Sequence, residues 1–236
     1  MIEIQDFLRY SKQIQLAEIG EIGQLKIKQA RVLVIGAGGL GCPVLQYLAA
    51  VGIGSIGIVD FDTIELHNLH RQILYSVNHV GQFKAPTAKM ILEKLNPNIE
   101  IQSFEVKITQ TNAEEIIQNF DFIVDGSDNF TTRYIINDTC VALKKTLIYG
   151  SIFKFEGQVA VFNHNNSKNL RDLFPVPPNP EDVPNCAVNG VLGTLPGIIG
   201  TIMAHEVLKL ILNLPTLKNE FLLIDTLSLN FTKLKF

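Results

Sequence analysis

The sequence predicts an α/β fold, a mostly parallel sheet with antiparallel strands at its C-terminal side, and three observations carry the prediction. Arg31–Ile35 and Ser55–Val59 are short apolar runs rich in Val and Ile, the pattern of parallel strands buried on both faces. Between them, Gly36, Gly38 and Gly41 form a G-x-G-x-x-G turn followed by an apolar helical stretch to about Val51, which completes a βαβ unit. Strand-like and helix-like stretches then alternate to Tyr149, and from Gly157 to Phe162 a further strand follows with no helix between, which suggests an antiparallel addition.

In chain order, residues 3–29 show helical spacing through Ile4, Phe7, Leu8, Ile14, Leu16, Ile19, Ile22 and Leu25, with Gly20 and Gly23 suggesting a break into shorter helices. The second strand ends at Asp60, an acid 19 residues beyond Gly41. The connection after it, FDTIELHNLHRQILYSVNHVGQ, is too long for an ordinary βα loop, and loops of that length are usually functional. Lys84 opens a helix that runs to about Leu95 and stops at Asn96-Pro97. A strand from Ile99 to Val106, a helix from Thr111 to Asn119 with Glu114 and Glu115 in its first turn, and a strand Phe122–Asp125 follow. After GSDN comes a helix from about Thr131 to Leu143, then the strand Thr146–Tyr149. Residues 163–187, rich in Asn and Pro, read as a long mobile loop ahead of an apolar helix to Leu212. Strands Phe221–Ile224 and Leu227–Leu234 close the chain. Neither repeat nor linker divides it, so one domain over 1–236 is expected: N-terminal helices 1–29, a nucleotide-binding part 30–152, and a part 153–236 containing a crossover loop 163–188.

The 236 residues, 47% hydrophobic and 18% charged, suit a buried globular core rather than disorder. A net charge of −3 gives no reason to propose nucleic acid or an anionic membrane as partner. The N-terminal MIEIQDFLRYSKQ has no basic stretch followed by an apolar run and does not read as a signal peptide. The uncharged stretch Val183–Ala204 contains Pro184, Asn185, Asn189, Pro196 and four glycines, so it reads as a loop feeding a buried helix rather than a membrane span. Cys42, Cys140 and Cys186 are widely spaced, with no disulfide framework and no C-x-x-C, which points to a reducing, cytosolic setting.

The glycine turn is a nucleotide site in physical terms. Bare backbone can approach phosphate oxygens, a helix N-terminus favours their charge, and the Asp60 carboxylate can accept ribose hydroxyls. Alone, this unit most often marks a nicotinamide or flavin enzyme. Such an enzyme needs a hydride-acceptor pocket and an acid–base pair on its substrate, and no second domain supplies them. Arg71 and Lys84 instead follow Asp60 closely, and two cations beside a phosphate site suit a triphosphate that is attacked at phosphorus, although each alone could be solvated surface. No G-x-x-x-x-G-K-[ST] is present. Asp128 lies just past a strand's C-terminal end, where open α/β sheets place ligands; it could hold Mg²⁺ against phosphate oxygens or simply cap the next helix.

Taken together, RYSKQ, GAGGLG, DFD, NLHRQ, the lysine after VGQ and the D-x-S-D-N-F-x-x-R run resemble the ThiF/MoeB/HesA family, bacterial relatives of ubiquitin-activating enzymes. The match runs in order from Arg9 to the last strands. The resemblance implies that ATP and the C-terminal glycine carboxylate of a small ubiquitin-fold sulfur carrier are joined as an acyl adenylate with release of pyrophosphate. It implies that Gly38 and Gly39 lie in the phosphate turn, that Asp60 binds the ribose, and that Asn68, Arg71 and Lys84 engage the phosphates. Asp128, with Asn129 beside it, would serve Mg²⁺ and the reacting centre. Lys12 stands where the family's arginine enters the partner subunit's ATP site in a homodimer; it keeps the charge and loses the bidentate fork.

In some members a cysteine at the position of Cys186 accepts the activated carrier or links to it, whereas Cys42 and Cys140 read as buried and inert. Many relatives hold a structural zinc with a C-x-x-C before this loop and another near the C-terminus. Here Asn169 and Asp172 occupy the first pair of positions and the chain ends at FTKLKF, so no structural zinc is expected. The implied pathways are thiamine or molybdopterin biosynthesis. Two alternatives stand beside this reading: ATP-dependent activation of a peptide or nucleoside by the same site, and a non-catalytic carrier-binding scaffold.

Overall fold

A computed structural model of the chain describes residues 3–178 and 190–236. An eight-stranded sheet runs through it in the order β3-β2-β1-β4-β5-β6-β7-β8. Strands β1 (Arg31–Ile35), β2 (Ser55–Val59), β3 (Glu100–Phe104), β4 (Phe122–Asp125) and β5 (Thr146–Phe153) pair in parallel, while β6 (Glu156–Phe162), β7 (Glu220–Asp225) and β8 (Asn230–Lys235) add in antiparallel fashion. The predicted change from parallel to antiparallel pairing after β5 is therefore observed, and it has a simple cause. β5 extends four residues past Tyr149 and turns directly into β6, and a tight turn can only join antiparallel strands.

Helices cover both faces. On one face, α2 (Gly20–Gln29), α3 (Gly41–Val51), α4 (Lys84–Leu95) and α8 (Thr194–Leu212) bury Ile27, Leu45, Leu48, Leu92 and Met203 against Val32, Val34, Ile56 and Ile58. On the other, α5 (Ala113–Ile117), α6 (Phe130–Ala142) and α7 (Leu170–Leu173) pack Ile117, Ile136 and Leu170 against Leu33, Ile123 and Leu147. Covering on both sides explains why β1, β2 and β4 are apolar without alternation. The N-terminal α1 (Ile4–Ile14) lies against α2, with Tyr10 buried and its hydroxyl accepting from Asn96 Nδ2 at 2.8 Å. Gly23 sits inside α2 rather than at a break, because a side chain there would meet Leu212 of α8 at 2.8 Å.

α8 is long and apolar enough to cross a membrane, yet it packs against α3, β5 and β6 and buries Glu206, which accepts from the Leu217 amide at 2.9 Å and pairs with Lys209. The chain thus keeps one charged side chain inside the fold where a lipid-facing helix would expose it.

Elsewhere the boundaries move. β3 and α5 are shorter than the 99–106 and 111–119 read from the sequence. β8 begins at Asn230 and not at Leu227, since Asp225 accepts from the Leu227 amide and the Ser228 hydroxyl and so turns the chain. The described part of the expected mobile loop, 163–178, is pinned. Asn163 Nδ2 donates to the Cys140 and Lys145 carbonyls, Tyr134 Oη to the Phe174 and Val176 carbonyls, and Arg171 pairs with Asp138 at 2.6 Å. The Asn169 and Asp172 side chains form a reciprocal cap on α7.

Candidate active site

β1 lies between β2 and β4, so the connections leaving its two neighbours part to opposite sides and open a crevice at the strands' C-terminal ends, the usual ligand position in open α/β sheets. Three turns meet there. Gly36 donates to the Val59 carbonyl and Gly126 to the Ile35 carbonyl, both at 2.8 Å. Gly36 has φ +95°, and a Cβ on it would lie 2.7 Å from the Gly126 oxygen; a Cβ on Gly41 would lie 1.8 Å from the Gly36 oxygen. The outer glycines of the motif are thus demanded by backbone contact.

Asp60 locks this turn from below. Its Oδ2 accepts from the Ala37 amide at 2.7 Å and its Oδ1 from the Asp62 amide at 2.9 Å. Burial raises its pKa, with the Lys84 charge and the two amides opposing the rise. Tyr75 lies 3.0 Å from the Ala37 carbonyl and 3.2 Å from that of Lys84, so one hydroxyl ties the glycine turn to the start of α4. Cys42 is fully buried below the turn, and burial pushes its thiol up to about 12; Cys140 is buried too, its thiol likewise raised. Both cysteines are buried, as expected.

The long connection folds over the crevice as two short 3₁₀ turns, Leu66–Asn68 and Val77–His79, with a bridge from Thr63 to Phe83 closing its ends. Asn68 is buried and its Oδ1 accepts from the Glu65 amide at 3.2 Å. Arg71 Nη1 donates to the His67 carbonyl at 3.2 Å and lies 2.7 Å from His70 Nε2. Burial, then the neighbouring Arg71 and His67 charges, lowers the His70 pKa, which favours the neutral ring that can accept from Arg71. The stem of Arg71 passes over Gly39: a Cβ there would be 3.6 Å from Arg71 Cδ and 3.2 Å from Pro196 Cβ.

Lys84 is 6% exposed, and its ammonium bonds Asp62 Oδ2 at 2.9 Å. Asn68, Arg71, Gln72 and Lys84 line a polar cavity of about 300 Å³ together with Asp62, Glu65 and Asp128. Gln72 is buried with an unpartnered Oε1, an acceptor without a donor. A second cavity of about 280 Å³, by Lys154, Phe155, Val191 and Leu192, carries none of these groups.

Asp128 reaches the cavity because its neighbour takes the other role open to it. Asn129, not Asp128, caps α6, its Oδ1 accepting from the Thr132 amide at 2.9 Å. The turn before them is held by Asp125, which accepts from the Ser127 amide (2.9 Å) and hydroxyl (2.6 Å), and by Arg133, which donates to the Ser127 carbonyl at 2.8 Å. The Arg133 guanidinium is buried 4.8 Å over the Tyr149 ring. Burial raises the Asp125 pKa and Arg133 opposes the rise; Asp125 Oδ2 and Arg133 Nη1 are buried without hydrogen-bond partners.

Of the residues singled out from sequence, Asn68, Arg71, Lys84 and Asp128 are brought together, with Gly38 and Gly39 beside them and Asp60 beneath. Asn129 serves as a helix cap and does not line the cavity. Lys12 is exposed on α1, outside the cavity lining. Cys186 falls outside the described residues. Sequence reasoning passed over Asp62, Gln72, Asp125 and Arg133, although DFD, HRQ and the D-x-S-D-N-F-x-x-R run contain them.

The ThiF family model matches residues 10–236. The chain is 47% identical over 232 residues to a sulfur carrier protein adenylyltransferase of Thermus thermophilus, covering 96% of this chain and 86% of that one. It is 48% identical over 231 residues to the adenylyltransferase and sulfurtransferase MOCS3 of Culex quinquefasciatus, covering 98% of this chain but only 53% of the longer protein. Among solved structures, E. coli MccB with ATP superposes with a TM-score of 0.83 at 23% identity, over 96% of this chain and 71% of that one, a likeness of fold.

Proposed function

The chain belongs to the ThiF family, and from that premise we propose that it is an ATP-dependent adenylyltransferase acting on the C-terminal glycine of a ubiquitin-like sulfur carrier. The observation that supports this most is the convergence of Arg71, Lys84, Asn68 and Asp128 on one polar cavity beside the glycine turn. A carrier carboxylate oxygen attacks the α-phosphorus of ATP, the bond to the bridging oxygen breaks, and pyrophosphate leaves with that electron pair. Attack brings negative charge onto negative charge, so Arg71 and Lys84 screen the repulsion while the 36–41 turn and Asn68 hold the polyphosphate in line. The attacking carboxylate is already ionised at neutral pH and needs no general base.

The cavity's donors fit a divalent cation of the Mg²⁺ type. Asp128 offers hard oxygen, and among the described residues no three candidate ligands gather, so such an ion would draw its remaining ligands from phosphate and water. Bound there, it supplies further neutralisation of phosphate charge. The pathway we infer is thiamine or molybdopterin biosynthesis in the cytosol, and the assembly a homodimer in which Lys12 enters the partner's site. Adenylate formation precedes any thiol step at Cys186.

Carrier-dependent exchange of labelled pyrophosphate into ATP tests the reading. Asp128→Ala should lower exchange by about two to three orders of magnitude, the scale of losing one transition-state stabiliser. Cys186→Ala should leave it intact. Binding of ATP with no exchange for any ubiquitin-like carrier ending in Gly-Gly would refute the assignment.

A further inference from the structure

Lys84 carries a problem that the adenylation reading does not solve. The residue is 6% exposed and stands in the first turn of α4, at the positive end of the helix dipole, in a turn with no acidic residue of its own. A buried cation in that position needs an anion whether or not nucleotide is bound. Asp62 is built to be that anion. Its amide is fixed by Asp60 Oδ1 at 2.9 Å, its carbonyl accepts from the Lys84 amide at 2.9 Å, and its carboxylate reaches the Lys84 ammonium at 2.9 Å. The carboxylate itself is half-exposed and faces the same cavity as Arg71 and Asp128.

We propose that Asp62 is a place-holding anion: it pairs with Lys84 in the empty site, yields Lys84 to the polyphosphate, and retakes it as pyrophosphate leaves. The proposal rests on the reading of this cavity as a polyphosphate site. Binding of nucleotide then exchanges one anion for another at a buried ammonium. Release of pyrophosphate runs the exchange backwards, helped by repulsion between the Asp62 carboxylate and an anion of higher charge in the same 300 Å³ cavity. Lys84 is never left uncompensated, which removes a barrier to product release.

A residue that only positioned Lys84 and a residue that competes for it predict opposite signs. The test is calorimetric titration of the full chain with inorganic pyrophosphate, and separately with ATP, in wild type and Asp62→Asn. Competition predicts at least about threefold tighter pyrophosphate binding in the variant, the scale of removing a half-exposed ionic competitor. It also predicts slower steady-state turnover, limited by pyrophosphate release. Asp62→Ser, which removes the same charge, should shift binding the same way. Unchanged or weaker pyrophosphate binding in both variants overturns the proposal, while a wild type that binds neither ligand overturns the reading of the site beneath it.

Discussion

The parallel half of the sheet and its antiparallel end hold their polar groups in opposite ways. Around the crevice, the ties are buried and run through the backbone: Asp60 to Ala37 and Asp62, Tyr75 to Ala37 and Lys84, Asp125 and Arg133 to Ser127. Beyond β5, Glu206 is the one buried carboxylate among the described residues, held on the Leu217 amide. The charged and capping ties that hold 163–178 are side-chain pairs at the surface, Arg171 with Asp138 and Asn169 with Asp172, while large apolar groups such as Val176, Leu229 and Phe231 stand in solvent. The first arrangement fixes side-chain geometry at a cost in desolvation, which is what electrostatic stabilisation of a transition state requires. The second keeps a surface available at little cost in either direction.

The widest separation between the two should come from removing an arginine in each. Arg133→Ala removes the buried bond to the Ser127 carbonyl and the charge that opposes the raised Asp125 pKa, and should cost about 1–3 kcal/mol in urea unfolding. Exchange activity should fall with it, since the turn carrying Asp128 loses its anchor. Arg171→Ala should leave the unfolding midpoint nearly unchanged. Equal costs at the two sites would break the comparison.

A tyrosine pair sharpens it next. Tyr75→Phe removes the hydroxyl that ties the Ala37 carbonyl to that of Lys84 and should cost about 1 kcal/mol, with a loss of ATP affinity measured by titration. Tyr134→Phe releases the carbonyls of Phe174 and Val176, and should speed proteolysis near 174–178 while ATP affinity stays at the wild-type value.

The same division governs what was legible in the sequence. β1, β2, β4 and α4 fall on the residues predicted, because elements buried on both faces, or opened by a turn and closed by Asn96-Pro97, carry their pattern locally. Arg71, Lys84 and Asp128 were singled out by residue type and position and Asn68 through the family resemblance, and the four line one cavity. Asp125 and Arg133 were not. Their partners are the Ser127 backbone and the Tyr149 ring, and no local periodicity announces a buried ion that props up a turn. Asp62 was hidden because its partner lies 22 residues on, across the long connection. At the antiparallel end, α7 is one turn long, and the alternation of Leu227, Leu229 and Phe231 runs through the turn that precedes β8.

A smaller effect isolates the surface side of the comparison. Asn169→Ala removes the cap of α7 and its bond to Asp172, and should cost about 0.5–1 kcal/mol, the lower part of the capping range for a helix of one turn. Thermal unfolding should register the loss, and pyrophosphate exchange should not change.

The smallest expected effect is in pH dependence, where the two halves differ in sign. The hydrogen bond from Arg171 holds the Asp138 carboxyl below its ordinary value of 3.8, against the pull of partial burial. Its contribution is therefore complete above 3.8 and is lost as pH falls through the lower folded value. Asp60 and Asp125 behave in reverse. Burial raises both, so their charged forms weigh against the fold, and acidification through the raised values relieves that cost until it is gone below 3.8. The stability of wild type relative to Asp138→Asn should accordingly shrink on acidification, whereas relative to Asp125→Asn it should grow. Denaturant midpoints taken from neutral pH downwards compare the two directly. Parallel trends would mean that the carboxylates under the crevice are compensated as fully as the one at the surface, and that the buried half does not hold its charges against their own desolvation.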